Sequence, residues 1–182
     1  MANFKLYFPK ILLLEGTSLE NVPGDAGSWT KDGITIDDYI HNGIDKNNDG
    51  KIDLTDLKLM TNDDASRIYK KEYWDVIQGD VLKNQTIAEY ICDFGINCGI
   101  KLAIKKTQTI LGLVADGQFG PKTLSSINTA NSKDLFNKLV ESRTNYYNAI
   151  VANNSSQSKF LKGWLRRTNS FNFIDDSNNN IA

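Results

Sequence analysis

Apolar positions recur at helical spacing through most of this chain. Phe4, Tyr7, Phe8, Ile11 and Leu12 predict a first helix over Phe4–Glu15, with Pro9 either opening it or kinking it. Residues 16–33 are rich in Gly, Asn, Asp and Ser and read as one long loop; ordered loops of that length are usually functional. Short helices are expected over 34–40 and 54–60, then one over 63–74 with Ala65, Ile68, Tyr69 and Tyr73 inward. Residues 86–96 follow the same rule with Ile87, Tyr90, Ile91 and Phe94, and a helix over 100–111 stops at Gly112 and the Asp116-Gly117 pair. Pro121 suits a first helical position in a helix through Ile127. Ser132 is expected to cap the longest helix, whose stripe is Leu135, Phe136, Leu139, Val140, Tyr146, Tyr147, Ile150 and Val151. A last helix lies near 160–167, and the Asn/Asp-rich tail is expected to be loose. Alternating strand patterns are almost absent, so the predicted fold class is mainly α.

Composition narrows the possible partners. The chain has 182 residues, room for one domain or one domain with two lobes. Its 21 basic and 22 acidic residues nearly cancel, which leaves no strong field for nucleic acid or an anionic membrane. The N-terminal apolar stretch is too short to span a bilayer and makes a poor signal peptide. The expectation is a monomer made in the cytoplasm, with no membrane insertion and some other route out for any action beyond it. Cys92 and Cys98 would stand about 9 Å apart along one helix, too far for a disulfide without a break, and both read as reduced core residues.

Residues 45–56 form an acidic loop with a specific spacing. Asp45, Asn47, Asp49, Asp53 and Asp56 place oxygens at the first, third, fifth, ninth and twelfth positions, with Gly50 at the sharp turn. Lys51 would add its backbone carbonyl. A hard cation needs six or more oxygens from one tight loop, so the pattern predicts Ca2+, held as a structural clip. A single such loop does not make a calmodulin-type sensor.

Glu15 ends the apolar run Ile11-Leu12-Leu13-Leu14 and is followed by Gly16 and the long loop. Partial burial and the negative end of a helix both favour the protonated form of a carboxylic acid. A protonated carboxyl group near neutral pH is what a glycosidase needs at its leaving oxygen. On position alone, a surface Glu at a helix end is the stronger reading.

Further segments change that weighing. Glu15-Gly16 leads into Gly27, Thr30 and Gly33-Ile34-Thr35; then come Tyr73-Trp74-Asp75, Gly79-Asp80 and Asp93-Phe94-x-x-Asn97-x-Gly99. After Gln108 follow Ala115-Asp116-Gly117-x-Phe119-Gly120-Pro121-Lys122-Thr123, Arg143 before Tyr146-Tyr147, and Lys162-Gly163-Trp164-x-x-Arg167. In this order they resemble glycoside hydrolase family 108, the N-acetylmuramidases also called secretion-activator-like lysozymes, over roughly residues 4–168. The resemblance implies a lysozyme-like helical fold, a catalytic lobe over 1–80, a peptidoglycan-binding lobe over 81–168 and a tail over 169–182. It implies peptidoglycan as substrate and Glu15 as the general acid. Thr17 stands where the family motif has a second Gly, and Asp32 where a Tyr or Asn often precedes the Gly-Ile pair.

The second carboxylate stays open among Asp25, Asp32 and Asp93, although for the last a buried structural acid near Asn97 is the stronger reading. Asp25 and Thr30 are taken as catalytic candidates, Thr30 orienting water or substrate or else capping the turn. Trp29, Asp32, Trp74 and Asn97 are substrate-binding candidates. Tyr73 is expected in the core, Trp164 to pack the last helix, and His41 to face solvent. A wall-binding module without catalysis and a calcium-dependent interaction protein of secretion are the competing functions.

Overall fold

The computed structural model describes residues 1–16, 18–21 and 29–175. It divides into two compact units, Lys5–Glu72 and Met1–Phe4 with Tyr73–Ala182. The fold is mainly helical, as the apolar spacing predicts, with one small sheet.

In the unit Lys5–Glu72, α1 (Phe4–Glu15) runs through Pro9 as one element and forgoes the one amide bond Pro9 cannot donate. Tyr7 and Ile11 are fully buried, while Leu6 and Leu13 are exposed, which fits a single inward stripe. Where one long loop was expected, three short antiparallel strands form: β1 (Leu19–Asn21), β2 (Trp29–Lys31) and β3 (Ile34–Thr35). Their length, two or three residues each, leaves no room for an alternating pattern. The readable signal was Asp32-Gly33, a pair suited to a two-residue hairpin turn. The helix expected from residue 34 starts later, as α2 (Ile36–Asn42), because Ile34 and Thr35 pair with β2 and the Thr35 hydroxyl accepts from Asp38 N at 3.1 Å.

Helices α3 (Leu54–Leu59) and α4 (Asn62–Tyr69) each begin with a reciprocal cap, Asp53 with Asp56 and Thr61 with Asp64. Beyond Tyr69 the helix widens into a π-turn, Lys70–Trp74. The wider turn returns to one face after five residues, so the buried side chains are Tyr69 and Trp74. Tyr73, expected inward, is half-buried instead.

The other unit is built around α5 (Gln85–Cys98), whose residues from Thr86 to Gly95 are all buried. Around it stand α6 (Ile100–Ile110), α7 (Pro121–Thr129), α8 (Ser132–Asn153) and α9 (Ser158–Thr168). The cap of α8 is Asn131, not Ser132: its side chain accepts from Asp134 N at 3.0 Å. A buried carboxylate on α5, Asp93, is gripped by Arg143 Nη1 of α8 at 2.7 Å and Arg167 Nη2 of α9 at 2.8 Å. Burying a charge this deeply requires such partners. Three helices are thereby tied through one side chain.

The tail is docked as far as it is described. Phe171 meets Tyr90 edge-on at 5.3 Å, Phe173 lies 5.8 Å from Phe136, and Ile174 bonds through both its amide and its carbonyl to Thr86 and Asn84. Aromatic residues among the Asn and Asp supply the apolar surface that a loose tail lacks. No helix among the described residues is long and apolar enough to cross a membrane. Both cysteines are free, Cys92 buried and Cys98 half-buried.

Asp64 generates a pH prediction. Burial alone raises its carboxyl, but hydrogen bonds from Lys46 Nζ at 2.8 Å, Thr61 N at 2.9 Å and Thr61 Oγ1 at 2.7 Å outweigh it and hold the group at about 2. The folded value lies below the ordinary 3.8, so this stabilisation is present above 3.8 and is lost as pH falls through about 2. Asp64→Asn should therefore melt below the wild type near neutral pH, with the gap closing over that acid window. A gap in melting temperature that is constant with pH would refute the assignment.

Candidate active site

The hairpin turn and the end of α1 meet in one tight contact. Asp32 (φ 52°) and Gly33 (φ 76°) both adopt left-handed backbone, the type I′ geometry of a two-residue hairpin between Lys31 and Ile34. Gly33 lies against Glu15: a Cβ at Gly33 would stand 2.7 Å from Glu15 Cβ, 2.8 Å from Glu15 Cγ and 2.5 Å from Tyr69 Oη. Tyr69 Oη donates to the Asp32 carbonyl at 2.8 Å and pins the turn from α4. Glu15 itself is half-buried at the last residue of α1, where Gly16 (φ 81°) donates to Leu12 O at 3.0 Å and closes the helix.

The sheet behind the turn is anchored separately. Lys31 Nζ donates to Lys58 O at 2.7 Å and Met60 O at 2.6 Å, a cation on the terminal carbonyls around the end of α3. Lys58 Nζ in turn lies 5.5 Å over the Trp29 ring. Trp29 and Lys31 therefore face α3, and strand alternation points Thr30 to the opposite side of the sheet. Trp29 and Thr30 are both half-buried; Thr30 pairs with both β1 and β3, and Trp29, at the start of β2, with β1 alone.

Asp32 was expected to bind substrate. Its side chain is 3 % exposed, and burial pushes its carboxyl above the ordinary range, with Lys31 opposing. The part of Asp32 whose role is visible is its backbone, which forms the turn. Trp74 is likewise withdrawn. It is fully buried, its indole N–H donates to Asp80 Oδ1 at 2.8 Å, and Gly79 packs directly on its ring, so neither face is open to a sugar. Asn97, in the other unit, accepts from Tyr147 Oη and sits beside Cys98 in the network around Asp93. Asp93 resolves as the buried structural acid. Asp25 and Thr17 lie outside the described residues.

Residues missed at the sequence level are Tyr69, Lys31 and Gly33, which hold the site's backbone. Gly33 alone carried a signal, through its Asp-Gly turn. In the other unit Gln108 is a similar hub, its amide donating to Asp116 Oδ1 (2.8 Å), Gln118 O (3.0 Å) and Thr123 Oγ1 (3.2 Å) and accepting from Gly117 N (2.9 Å). The Asp116 to Thr123 motif is thus a braced turn.

The acidic loop holds the turn geometry its spacing implies, with Asn48 (φ 60°) and Gly50 (φ 86°) left-handed. Its oxygens engage its own amides. Asp45 accepts from Asn48 N at 2.6 Å and Gly50 N at 2.8 Å, Asn47 from Asp49 N at 2.9 Å, and Asp49 from Lys51 N at 2.9 Å. Asp53 accepts from Thr55 N at 2.7 Å, and fully buried Asp56 from Lys46 N at 2.7 Å and Asp53 N at 2.9 Å. Among the described residues no three His, Cys, Asp or Glu side chains converge in this geometry as a metal-holding group. The donors nevertheless suit a hard cation in kind, since a carboxylate oxygen bonded to one amide keeps a second lone pair.

Comparison with known proteins gives two family matches. Residues 8–99 match the family described as Glycosyl hydrolase 108, and residues 102–169 the one described as Predicted Peptidoglycan domain. No curated protein matches. Among solved structures the chain is similar to that of Brucella abortus SagA, with a TM-score of 0.73 and 28% identity over 91% of this chain and 88% of that one.

The Gly33 contact makes a sharp prediction. Gly33→Ala places a methyl group against Glu15 and Tyr69 in a backbone conformation that L side chains rarely adopt. The substitution should cost about 2 kcal/mol of stability and lower wall lysis per folded molecule by at least tenfold, because Glu15 must move. Melting temperature and turbidity loss of purified walls measure the two effects. Unchanged lysis would show that Glu15 does not need this seat.

Proposed function

The chain belongs to the glycosyl hydrolase 108 family and is a peptidoglycan hydrolase of the N-acetylmuramidase class, and within that activity we propose that Glu15 is the general acid. The observation that carries the proposal is the seat of Glu15: a half-buried carboxyl at a helix end, its stem packed on a left-handed glycine that Tyr69 holds in place.

Hydrolysis of the glycosidic bond passes through an oxocarbenium-like transition state and needs a proton on the departing oxygen. A carboxyl group whose stem is packed on a fixed turn has fewer orientations open to it at that oxygen, which limits the entropy lost in the reaction. Asp32 acts here as a positioning residue. Its carbonyl takes the Tyr69 hydroxyl, and its left-handed backbone aims Gly33 at Glu15. Trp29, half-exposed at the start of β2, is a candidate sugar contact, and Thr30, on the other side of the sheet, a candidate partner for water or substrate. Asp25 and Asp32 remain the candidates for the opposite carboxylate.

A Ca2+ ion in the loop of residues 45–56 belongs to the same proposal. Asp45, Asn47, Asp49, the Lys51 carbonyl, Asp53 and Asp56 would hold it. The support is the ligand spacing and the left-handed Gly50 at the sharp turn. The ion would supply charge balance to a loop that buries little apolar surface, in effect a clip at the start of α3.

Two experiments test these assignments. Glu15→Gln should abolish lysis of purified walls while melting like the wild type, whereas Asp32→Asn, which keeps the turn, should lyse within about fivefold of it. Because burial raises the Asp32 carboxyl, its ionised form costs stability; the penalty grows as pH rises from the ordinary 3.8 through the folded value. Asp32→Asn should therefore melt at or above the wild type near neutral pH. Full lysis by Glu15→Gln would remove the acid assignment, and loss of lysis in Asp32→Asn would make Asp32 the second carboxylate.

For the loop, Ca2+ at a hundred times its dissociation constant should stabilise the chain by about 2.7 kcal/mol, read as a rise in melting temperature. Chelator should reverse the rise, and Asp45→Ala should abolish it. A melting temperature indifferent to both Ca2+ and chelator would remove the ion.

A further inference from the structure

Helix α9 carries a surface feature that the fold does not use. Its sequence holds four cations, Lys159, Lys162, Arg166 and Arg167, and no acidic residue. Of these only Arg167 is engaged with Asp93; Lys159, Lys162 and Arg166 are exposed. On the same helix an aromatic ladder climbs out of the core. Tyr147 stacks on Trp164 at 5.1 Å and 21°, and Trp164 lies 5.9 Å from Phe160. Phe160 is 46% exposed, the one aromatic among the exposed large hydrophobic side chains described. Lys159 Nζ lies 4.9 Å above its ring.

Gly163 is the second observation. It stands in the middle of α9, three residues after Phe160 and so beside it on the helix surface. A glycine there weakens the helix by about 1 kcal/mol relative to alanine. Nothing in the fold asks for it: an added Cβ would meet no atom within 4 Å, and its φ is not in the left-handed region. A bare backbone next to an exposed ring leaves space for something flat to lie against the ladder.

We propose that Phe160, Gly163 and Trp164 form a sugar-stacking platform for the glycan strand of peptidoglycan, with Lys159 and Lys162 meeting the carboxylates of its peptide stems. The proposal rests on peptidoglycan being the substrate, and the platform lies within the residues matched by the peptidoglycan family. It is independent of Glu15. A pyranose ring offers an apolar face of C–H bonds to an aromatic ring backed by further rings, and stem carboxylates complement an exposed cationic helix.

The test is co-sedimentation of the full chain with purified insoluble peptidoglycan, in a Glu15→Gln background that leaves the wall intact. Phe160→Ala should bind about three- to tenfold more weakly. Gly163→Gln should also bind more weakly while melting at or above its parent, because the change improves the helix and covers the platform. Lys159→Glu with Lys162→Glu should weaken binding at low salt more than at high salt. Binding equal to the parent in both Phe160→Ala and Gly163→Gln would overturn the platform, as would weakening that merely follows a fall in melting temperature. A parent that does not sediment with the wall would overturn the peptidoglycan reading along with it, whereas lysis by Glu15→Gln would strike the acid assignment alone.

Discussion

Nothing larger than a hydrogen atom fits between the hairpin turn and the last residue of α1. Gly33 occupies that space, with Glu15 on one side and the Tyr69 hydroxyl on the other. Three otherwise separate elements are adjusted to this contact. The helix α1 stops at a left-handed Gly16, so that its last carboxyl stands beside the turn. The hairpin uses two left-handed residues in succession, which only a few residue types tolerate. Helix α4 runs just far enough to bring Tyr69 onto the Asp32 carbonyl. Lys31, on the terminal carbonyls around the end of α3, fixes the strand that leads into the turn. The precision of the candidate acid is thus a property of backbone geometry, supported by residues that perform no chemistry themselves.

The other unit solves a different problem with charge. Asp93 carries no exposed surface, and two guanidinium groups from different helices share it. Arg143 lies flat among Tyr90, Phe94 and Tyr147, within 5.1–5.7 Å of their centroids, so the same group is both counter-ion and packing surface. A paired buried charge is tolerated, and an orphaned one is strongly destabilising. The arrangement therefore couples α5, α8 and α9 in an all-or-none way. Several motifs of the C-terminal half (Asp93, Arg143, Tyr147 and Arg167) belong to this lock.

Much of this was legible beforehand. Helices declare themselves through repeated apolar spacing, and α1 and α3 to α9 lie close to where that spacing puts them. Asp93 and Trp164 were readable as packing residues because acids and aromatics inside long helical stripes usually are. The sheet was hidden by its brevity, since two- and three-residue strands carry no period. Trp74 and Tyr73 were interchanged because an α-helical count was continued through a stretch that follows a wider one. The docked tail was masked by its Asn and Asp content, although Phe171 and Phe173 supply the contacts. Tyr69 and Lys31 bond to backbone carbonyls brought near by the fold, and no linear pattern announces such partners. The family motif pointed to Glu15; its seat on Gly33 exists only in three dimensions.

The π-turn after Tyr69 has one further consequence. Such a turn contains one residue more than an α-helix of the same span needs. Removing any one residue from Lys70–Trp74 would leave the four residues that an α-helical turn needs, so the turn could close as ordinary α-helix. Side chains four positions apart would then lie on one side, as in any α-helix. A one-residue deletion at this point is therefore absorbed by a change of helix type, whereas the same deletion inside a regular α-helix would rotate everything beyond it by about 100°.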